Sequence, residues 1–238
     1  MALTEKLIAI ADAIRDKTGG TEGMTLDEMP TQIAGIETGG GENRFDYQSS
    51  VPSFQNAVFE SDAEITVRYG AKAKALEFGT GAFMNVKNLK KVTVIYDGTL
   101  TGKASAKTFF RGSSIVTVDL TGVTDKIQFS SLDRMFYSNA LCEILGEMDL
   151  SACTTTNYAF VNCYSLETIR IKPGTLGVST NLSYSLKLTD ESIQSIIDGL
   201  ADLTGGTAQT LTLHADVGAK LTEEQKAAAA AKNWTLAY

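Results

Sequence analysis

The sequence predicts an α/β solenoid in which short parallel strands stack unit upon unit, and three observations carry that expectation. The stretch F-V-N-C-Y-S-L-E-T-I-R-I, Phe160 to Ile171, echoes F-M-N-V-K-N-L-K-K-V-T-V, Phe83 to Val94. Two intermediate copies open at Phe110 and Phe136, so the phenylalanines at 83, 110, 136 and 160 recur at intervals of 27, 26 and 24 residues. Period-two alternation follows Phe83 in Val92, Val94 and Tyr96, Phe110 in Val116, Val118 and Leu120, and Phe160 in Ile169 and Ile171, with Ile65 and Val67 ahead of them. Asp119-Leu120-Thr121-Gly122 and Asp149-Leu150-Ser151-Ala152 add a second landmark at a similar interval.

A repeat of 20 to 29 residues with Leu-x-x-Ile-x-Ile at its heart has the period of a leucine-rich solenoid, each unit giving one short strand to a parallel sheet. One unit cannot bury its Phe, Leu and Ile alone. Stacked units cover one another, and full burial of such a side chain is worth roughly 1.5 to 3 kcal/mol. Asn85 and Asn162, two positions after their phenylalanines, are expected where the chain turns, with carboxamides that satisfy orphaned backbone groups.

Residues 1–37 have another period. Leu3, Leu7, Ile10 and Ile14 form one narrow apolar stripe of an amphipathic helix that Thr18-Gly19-Gly20 ends. Thr25-Leu26-Asp27-Glu28 fits a capping box flanked by Met24 and Met29, and Pro30 suits the first position of a short helix over 30–36. A helical pair of this size is too small to own a stable core, so it is expected to attach or oligomerise, or else to pack on the next domain. The glycine-rich segment 38–44 reads as the joint, 45–180 as the repeat domain and 181–238 as a C-terminal α/β cap.

In the cap, Leu188-Thr189-Asp190 leads into Ile193, Ile196, Ile197, Leu200 and Leu203, a helix expected to stop at Gly205-Gly206. Thr210 to Leu213 reads as a strand, Thr222-Glu223-Glu224-Gln225 as a capping box ahead of the alanine run 227–231, and Trp234 to Tyr238 as a last strand.

Composition narrows the function. The chain has 238 residues, 43% of them hydrophobic and 21% charged, which marks a globular protein. A net charge of −7 without any basic run argues against nucleic acid and anionic membranes as partners. The first 18 residues are too charged for a signal peptide, and no stretch of 18 apolar residues occurs, so no membrane insertion is expected. Cys142, Cys153 and Cys163 lack C-x-x-C spacing and read as small buried residues. The single histidine, His214, has no nucleophile elbow near it, and one His with three separated Cys does not make a zinc site. Gly79-Thr80-Gly81 belongs to a repeat turn, not to a phosphate loop. Glu223-Glu224 and Asp190-Glu191 sit at helix starts, where the helix dipole accounts for them. No enzyme class, catalytic residue, metal or cofactor is expected.

Ala159 to Pro173 is very similar to the repeat of BspA-like leucine-rich repeat proteins, A-F-x-N-C-x-S-L-x-x-I-x-I-P. The copy at Phe110 lacks the Asn and Cys, and the copy at Phe136 shifts its Leu by one place. The flanks, L-T-E-K-L-I-A-I-A-D-A-I-R-D-K-T-G-G and L-T-D-E-S-I-Q-S-I-I-D-G-L-A-D-L-T-G-G with the closing L-T-E-E-Q-K-A-A-A-A-A-K-N-W-T-L-A, resemble segments of tail and other structural proteins of phages and prophages of Gram-positive gut bacteria. The resemblance implies a non-enzymatic virion protein (tail fibre, baseplate or surface appendage), made in the bacterial cytoplasm. It would attach to other virion proteins through residues 1–37, form a homo-oligomer, most simply a trimer, and bind a host-surface glycan or protein through its repeats. Tyr137, Tyr158, Tyr164, Glu167, Thr168 and Arg170, with Tyr184 beside them, are the side chains expected to meet that partner. A purely architectural or decoration role, or a glycan-trimming enzyme with two acids facing one cleft, are the alternatives.

Overall fold

The computed structural model describes residues 43–47, 54–69, 82–97 and 102–238, and divides the chain into two compact units, Met1–Arg44 and Phe45–Tyr238. The expectations for the N-terminal helices, the glycine joint and Gly79-Thr80-Gly81 lie outside the described residues.

The second unit is a mostly parallel β structure with few helices. A six-stranded sheet has the order β1 (Asn43–Tyr47), β2 (Val58–Tyr69), β3 (Lys87–Tyr96), β5 (Thr117–Gly122), β7 (Glu143–Met148) and β8 (Thr168–Ile171). The pairings from β2 through β8 are all parallel. β4 (Gly102–Ser105) and β6 (Ile127–Ser131) form a parallel pair, and β9 (Thr180–Leu182), β10 (Gln209–Leu213) and β11 (Trp234–Ala237) form a parallel three-stranded sheet. Three helices follow β9 in the chain: α1 (Asp190–Gly199), α2 (Ala215–Gly218) and α3 (Glu223–Ala231).

Alternation decides which face is buried. Ile65, Val92, Val118 and Ile144 stand in register across β2, β3, β5 and β7 and are all buried, as are Val67, Val94 and Leu120 two residues further on, and the paired Met148 and Ile171 of β7 and β8. Val116 is the departure from expectation. It lies just before β5, half-buried, and its carbonyl accepts from Cys142 and Glu143 N–H instead.

Behind the sheet, Phe83, Phe110, Phe136 and Phe160 are fully buried in one file, with ring centroids 5.5, 5.7 and 5.6 Å apart. Phe54 extends the file at 5.0 Å from Phe83, a fifth copy that keeps the Phe-x-Asn of the pattern in F-Q-N but has Glu60 where the pattern has Leu. The backbone around each ring repeats in register. Phe54, Phe83, Phe110 and Phe136 N–H each donate to the carbonyl just before the next phenylalanine, at 2.7 to 3.0 Å. The residue two positions after each ring, Asn56, Asn85, Gly112, Ser138 and Asn162, has φ between 53° and 65° and donates onward in the same way up to Ser138.

That left-handed geometry explains the asparagines, because Asn and Gly tolerate it best. Their carboxamides do something other than expected. Asn85 Nδ2 donates to Asn56 Oδ1 at 3.2 Å and Asn162 Nδ2 to Ser138 Oγ at 3.2 Å, linking like positions of adjacent turns and leaving the turn backbone to its own ladder. One residue later the column is buried and polar: Asn139 Nδ2 donates to Phe110 O at 3.0 Å, and Cys163 Sγ to Phe136 O at 3.0 Å. Asn139 and Cys163 thus reach back to the carbonyl of the preceding phenylalanine, whereas Ser113 at the same position donates to that of its own Phe110, at 2.8 Å.

The unequal spacing of the copies is absorbed by bulges. Glu143 pairs with Thr168 but Glu147 with Arg170, so Leu145-Gly146 loop out of register, at a glycine with φ 85° where a Cβ would stand 2.7 Å from Thr121 N. Leu89, Ile115, Leu141 and Leu166 are nonetheless all buried, although Ile115 and Leu141 follow their phenylalanines by five residues and the other two by six.

Helix α1 closes the free edge of β8. Ser192 Oγ accepts from Ile169 N–H at 3.1 Å and Ser195 Oγ from Ile171 N–H at 3.0 Å, so two serines one turn apart replace the strand that would come next. Thr189 caps α1 by accepting from Ser192 N–H. The helix stops at Gly199, not at Gly205-Gly206, because Leu200 turns extended to bridge Leu176; Gly199 itself packs so close to the strand that a Cβ there would lie 2.6 Å from Ile171 Cγ2. The Thr222–Gln225 capping box forms as expected, with bonds of 3.2 and 3.0 Å.

Two outcomes are expected. Phe136→Ala, in the middle of the file, lowers unfolding free energy by about 3 to 5 kcal/mol in a urea titration. Thr108, two positions before Phe110, is a β-branched residue at φ 55°. Replacing it with Asn raises stability by about 1 kcal/mol in the same assay.

Candidate functional site

The side chains expected to meet a partner fall on two different parts of the unit. Tyr137, Tyr158, Tyr164 and Tyr184 follow the phenylalanine turns or lie beside them, whereas Glu167, Thr168 and Arg170 belong to the β8 segment. Tyr158 and Tyr164 are 50% and 53% exposed, so both are available. Tyr137 is half-buried under the Arg111 guanidinium, 5.4 Å from its ring centre. Glu167 has an exposed side chain, but its carbonyl accepts from Thr189 N–H and Ser192 Oγ, which ties it to the start of α1. Thr168 is half-buried and donates its N–H to Cys142 O.

Two grooves take in Tyr158, Tyr184 and Arg170, while Tyr137, Tyr164, Glu167 and Thr168 line neither. The first, about 340 Å³, is bordered by Tyr158 and Tyr184 and floored by Thr156 and Thr180, with Asn157, Asn181, Thr210 and Thr212 around it. It forms where the last phenylalanine turn meets β9 and β10, since Leu211 pairs with Thr180 and Thr212 with Asn181. The second, about 480 Å³, sets Arg170 among Glu147, Asp190, Glu191 and Asp198. Asp190 and Glu191 occupy the first turn of α1, and Asp198 Oδ1 accepts from Gln194 Nε2 at 2.9 Å. Arg170 and Tyr158 therefore do not share a groove.

The threonines and asparagines of the first groove were not singled out from the sequence. A signal exists: Thr156-Asn157 and Thr180-Asn181 stand 24 residues apart, the interval that separates Phe136 from Phe160. Short polar residues at turns are so common that the pair carries no meaning until both are seen on one wall.

Compared with known proteins, the chain matches no family model, no curated protein and no solved structure.

The other chemistry-bearing residues have structural partners. His214 caps α2, its Nδ1 accepting from Asp216 N–H at 3.2 Å. Cys153 and Cys163 are buried as expected, while Cys142 is only half-buried; all three are free. Burial pushes the Cys163 thiol up to about 12, so it stays protonated and donates to Phe136 O. Among the described residues no group of three or more His, Cys, Asp and Glu is placed to hold a metal, and no helix is long and apolar enough to cross a membrane.

The aspartates of the second landmark hold turns. Asp119 Oδ1 accepts from Thr121 N–H at 3.1 Å and Oγ1 at 2.6 Å, and Asp149 Oδ1 from Ser151 N–H at 3.0 Å and Oγ at 2.5 Å. Asp202 repeats this with Thr204, a third Asp-Leu followed by a hydroxyl residue, at 202–204. Burial would raise the Asp149 carboxyl, but the two Ser151 bonds and Lys172 outweigh it and hold it below the usual carboxylate range; Asp119, with Thr121 and Lys91, behaves likewise.

A group depressed in this way contributes stability that is fully present above the unfolded value, near ~3.9, and lost as pH falls through the lower folded value. Asp149→Asn is expected to cost stability at neutral pH and to flatten the loss on acidification below about pH 4. Urea unfolding at a series of pH values checks both parts.

Proposed function

We propose that this chain is a non-enzymatic binding protein of a phage particle, a leucine-rich repeat solenoid of the BspA-like kind that presents side chains to a partner on the host surface. The observation that carries the reading is the in-register stacking of the phenylalanine turns and the strand columns. Each unit buries one set of side chains on its neighbours and leaves the alternate strand positions and the turn tyrosines facing out. Solenoids of this type gain surface by repetition, so weak contacts add along the array. Copies held together on a particle would strengthen them further through effective concentration.

Attachment to the particle rests on the resemblance of residues 1–37 and of the closing segment to phage structural proteins. In this reading the N-terminal helices join other virion proteins and form the homo-oligomer. The C-terminal segment protects the last strand: the serines of α1 satisfy the β8 edge, which would otherwise invite pairing with another chain.

Adsorption gives the test. The purified full chain is expected to bind susceptible cells and to reduce phage adsorption when added first. Absence of both on every susceptible strain favours an architectural role. Release of sugar from host cell wall by the purified chain would overturn the non-enzymatic reading, and the groove holding Glu147, Asp190, Glu191 and Asp198 is where the responsible acids would be sought.

A further inference from the structure

We propose that the groove between Tyr158 and Tyr184 is a binding site for a neutral, hydroxyl-rich ligand, a short segment of an uncharged saccharide. This deepens the host-binding reading by naming the chemistry of what is bound.

The lining carries no charged side chain, although 21% of the chain is charged. A charged ligand entering such a site would lose water without gaining a counter-charge. Hydroxyl and carboxamide groups dominate instead. Thr156 and Thr180 form the floor, 5% and 4% exposed, with their oxygens 3.1 Å apart. Each threonine has one hydroxyl proton. Thr156 Oγ1 donates to Ser179 O at 2.8 Å and Thr180 Oγ1 to Val178 O at 3.1 Å, so the floor retains acceptor lone pairs. Around it, the described residues provide no hydrogen-bond partner for the Thr210 and Thr212 hydroxyls or the Asn157 carboxamide. The rim thus adds groups that both donate and accept, the pattern a sugar hydroxyl needs.

The aromatic walls are held in place from outside. Arg134 covers one face of Tyr158, its guanidinium carbon 5.0 Å from the ring centre, and Tyr164 meets Tyr184 edge-on at 5.8 Å. A tyrosine fixed in this way offers a flat apolar surface with little conformational entropy left to lose. The apolar C–H face of a sugar ring fits such a wall while its hydroxyls reach the threonines. A volume of about 340 Å³ lies at the small end of ligand sites, which suits a few rings of a longer chain.

Backbone strain does not set this groove apart. Tyr158 has φ 54°, but Thr108 and Arg134, at the same place in their turns, share it, so the geometry belongs to the turn.

Titration calorimetry of the full chain with uncharged hexose and N-acetylglucosamine oligomers, and with polygalacturonate as the charged control, tests the proposal. The expected result is binding of at least one uncharged oligomer and none of polygalacturonate. Tyr158→Ala should weaken it about tenfold or more. Thr212→Val should weaken it several-fold, with the thermal midpoint of both variants within a few degrees of the parent. No heat with any uncharged oligomer, equal affinity in both variants, or preference for the charged polymer would overturn it. Cell binding by the same proteins separates the two levels. If the parent and Tyr158→Ala bind cells equally, the groove is not the contact and the host-binding reading stands. If the parent binds oligomers but no cells, the saccharide site stands and the host-binding reading falls.

Discussion

The stacking of one phenylalanine ring on the next is the interaction on which the rest of this structure depends. Rings 5.0 to 5.7 Å apart are contributed by residues 24 to 29 positions apart in sequence, so each contact closes a long loop and must offset its entropy. Burial of each ring, about 1.5 to 3 kcal/mol, is supported by the backbone ladder beside it. Once the rings are in file, the turn that holds each has one geometry, and the left-handed residue two positions later follows. The strand after the turn then starts at a fixed place, which brings Val92, Val118 and Ile144 level with one another.

The same constraint explains why irregularities sit where they do. Insertions cannot be accommodated at the ring or its ladder, so they appear as bulges in the strands, as at Leu145-Gly146, or as a shift of one residue between ring and leucine, as at Ile115 and Leu141. Polar residues inside the stack are tolerated where a backbone carbonyl needs a donor. Asn139 and Cys163 fill that role with different chemistry at one position, and the raised thiol pKa of Cys163 is a consequence of its placement rather than a sign of reactivity.

The end of the six-stranded sheet is where structure turns into surface. α1 closes β8 with serine hydroxyls in place of a further strand, while β9, ahead of α1 in the chain, joins β10 and β11 after it in a second parallel sheet. The junction leaves two grooves of opposite character, one acidic around Arg170 and one neutral between tyrosines.

Much of the fold was legible because it is written in period. The four phenylalanines, the alternating strands, both caps at Thr189 and Thr222, and the strands at 210 and 234 follow from residue type and spacing, which local geometry obeys directly. What escaped was set by contacts between distant residues. Phe54 joins the file with only the F-x-N part of the motif, α1 ends where Leu200 turns extended toward Leu176, and Asn85 and Asn162 bond to the preceding turn's side chains. The candidate site divides in the same way. Its tyrosines could be picked from the sequence as exposed aromatics near turns, but the threonines and asparagines that complete it come from β9, β10 and the last turn together. The sequence alone determined the spacing of the phenylalanines and the alternation of the parallel strands, since both follow from residue type and period. Only the tertiary structure decided which polar side chains share a wall, because that depends on where the stack stops.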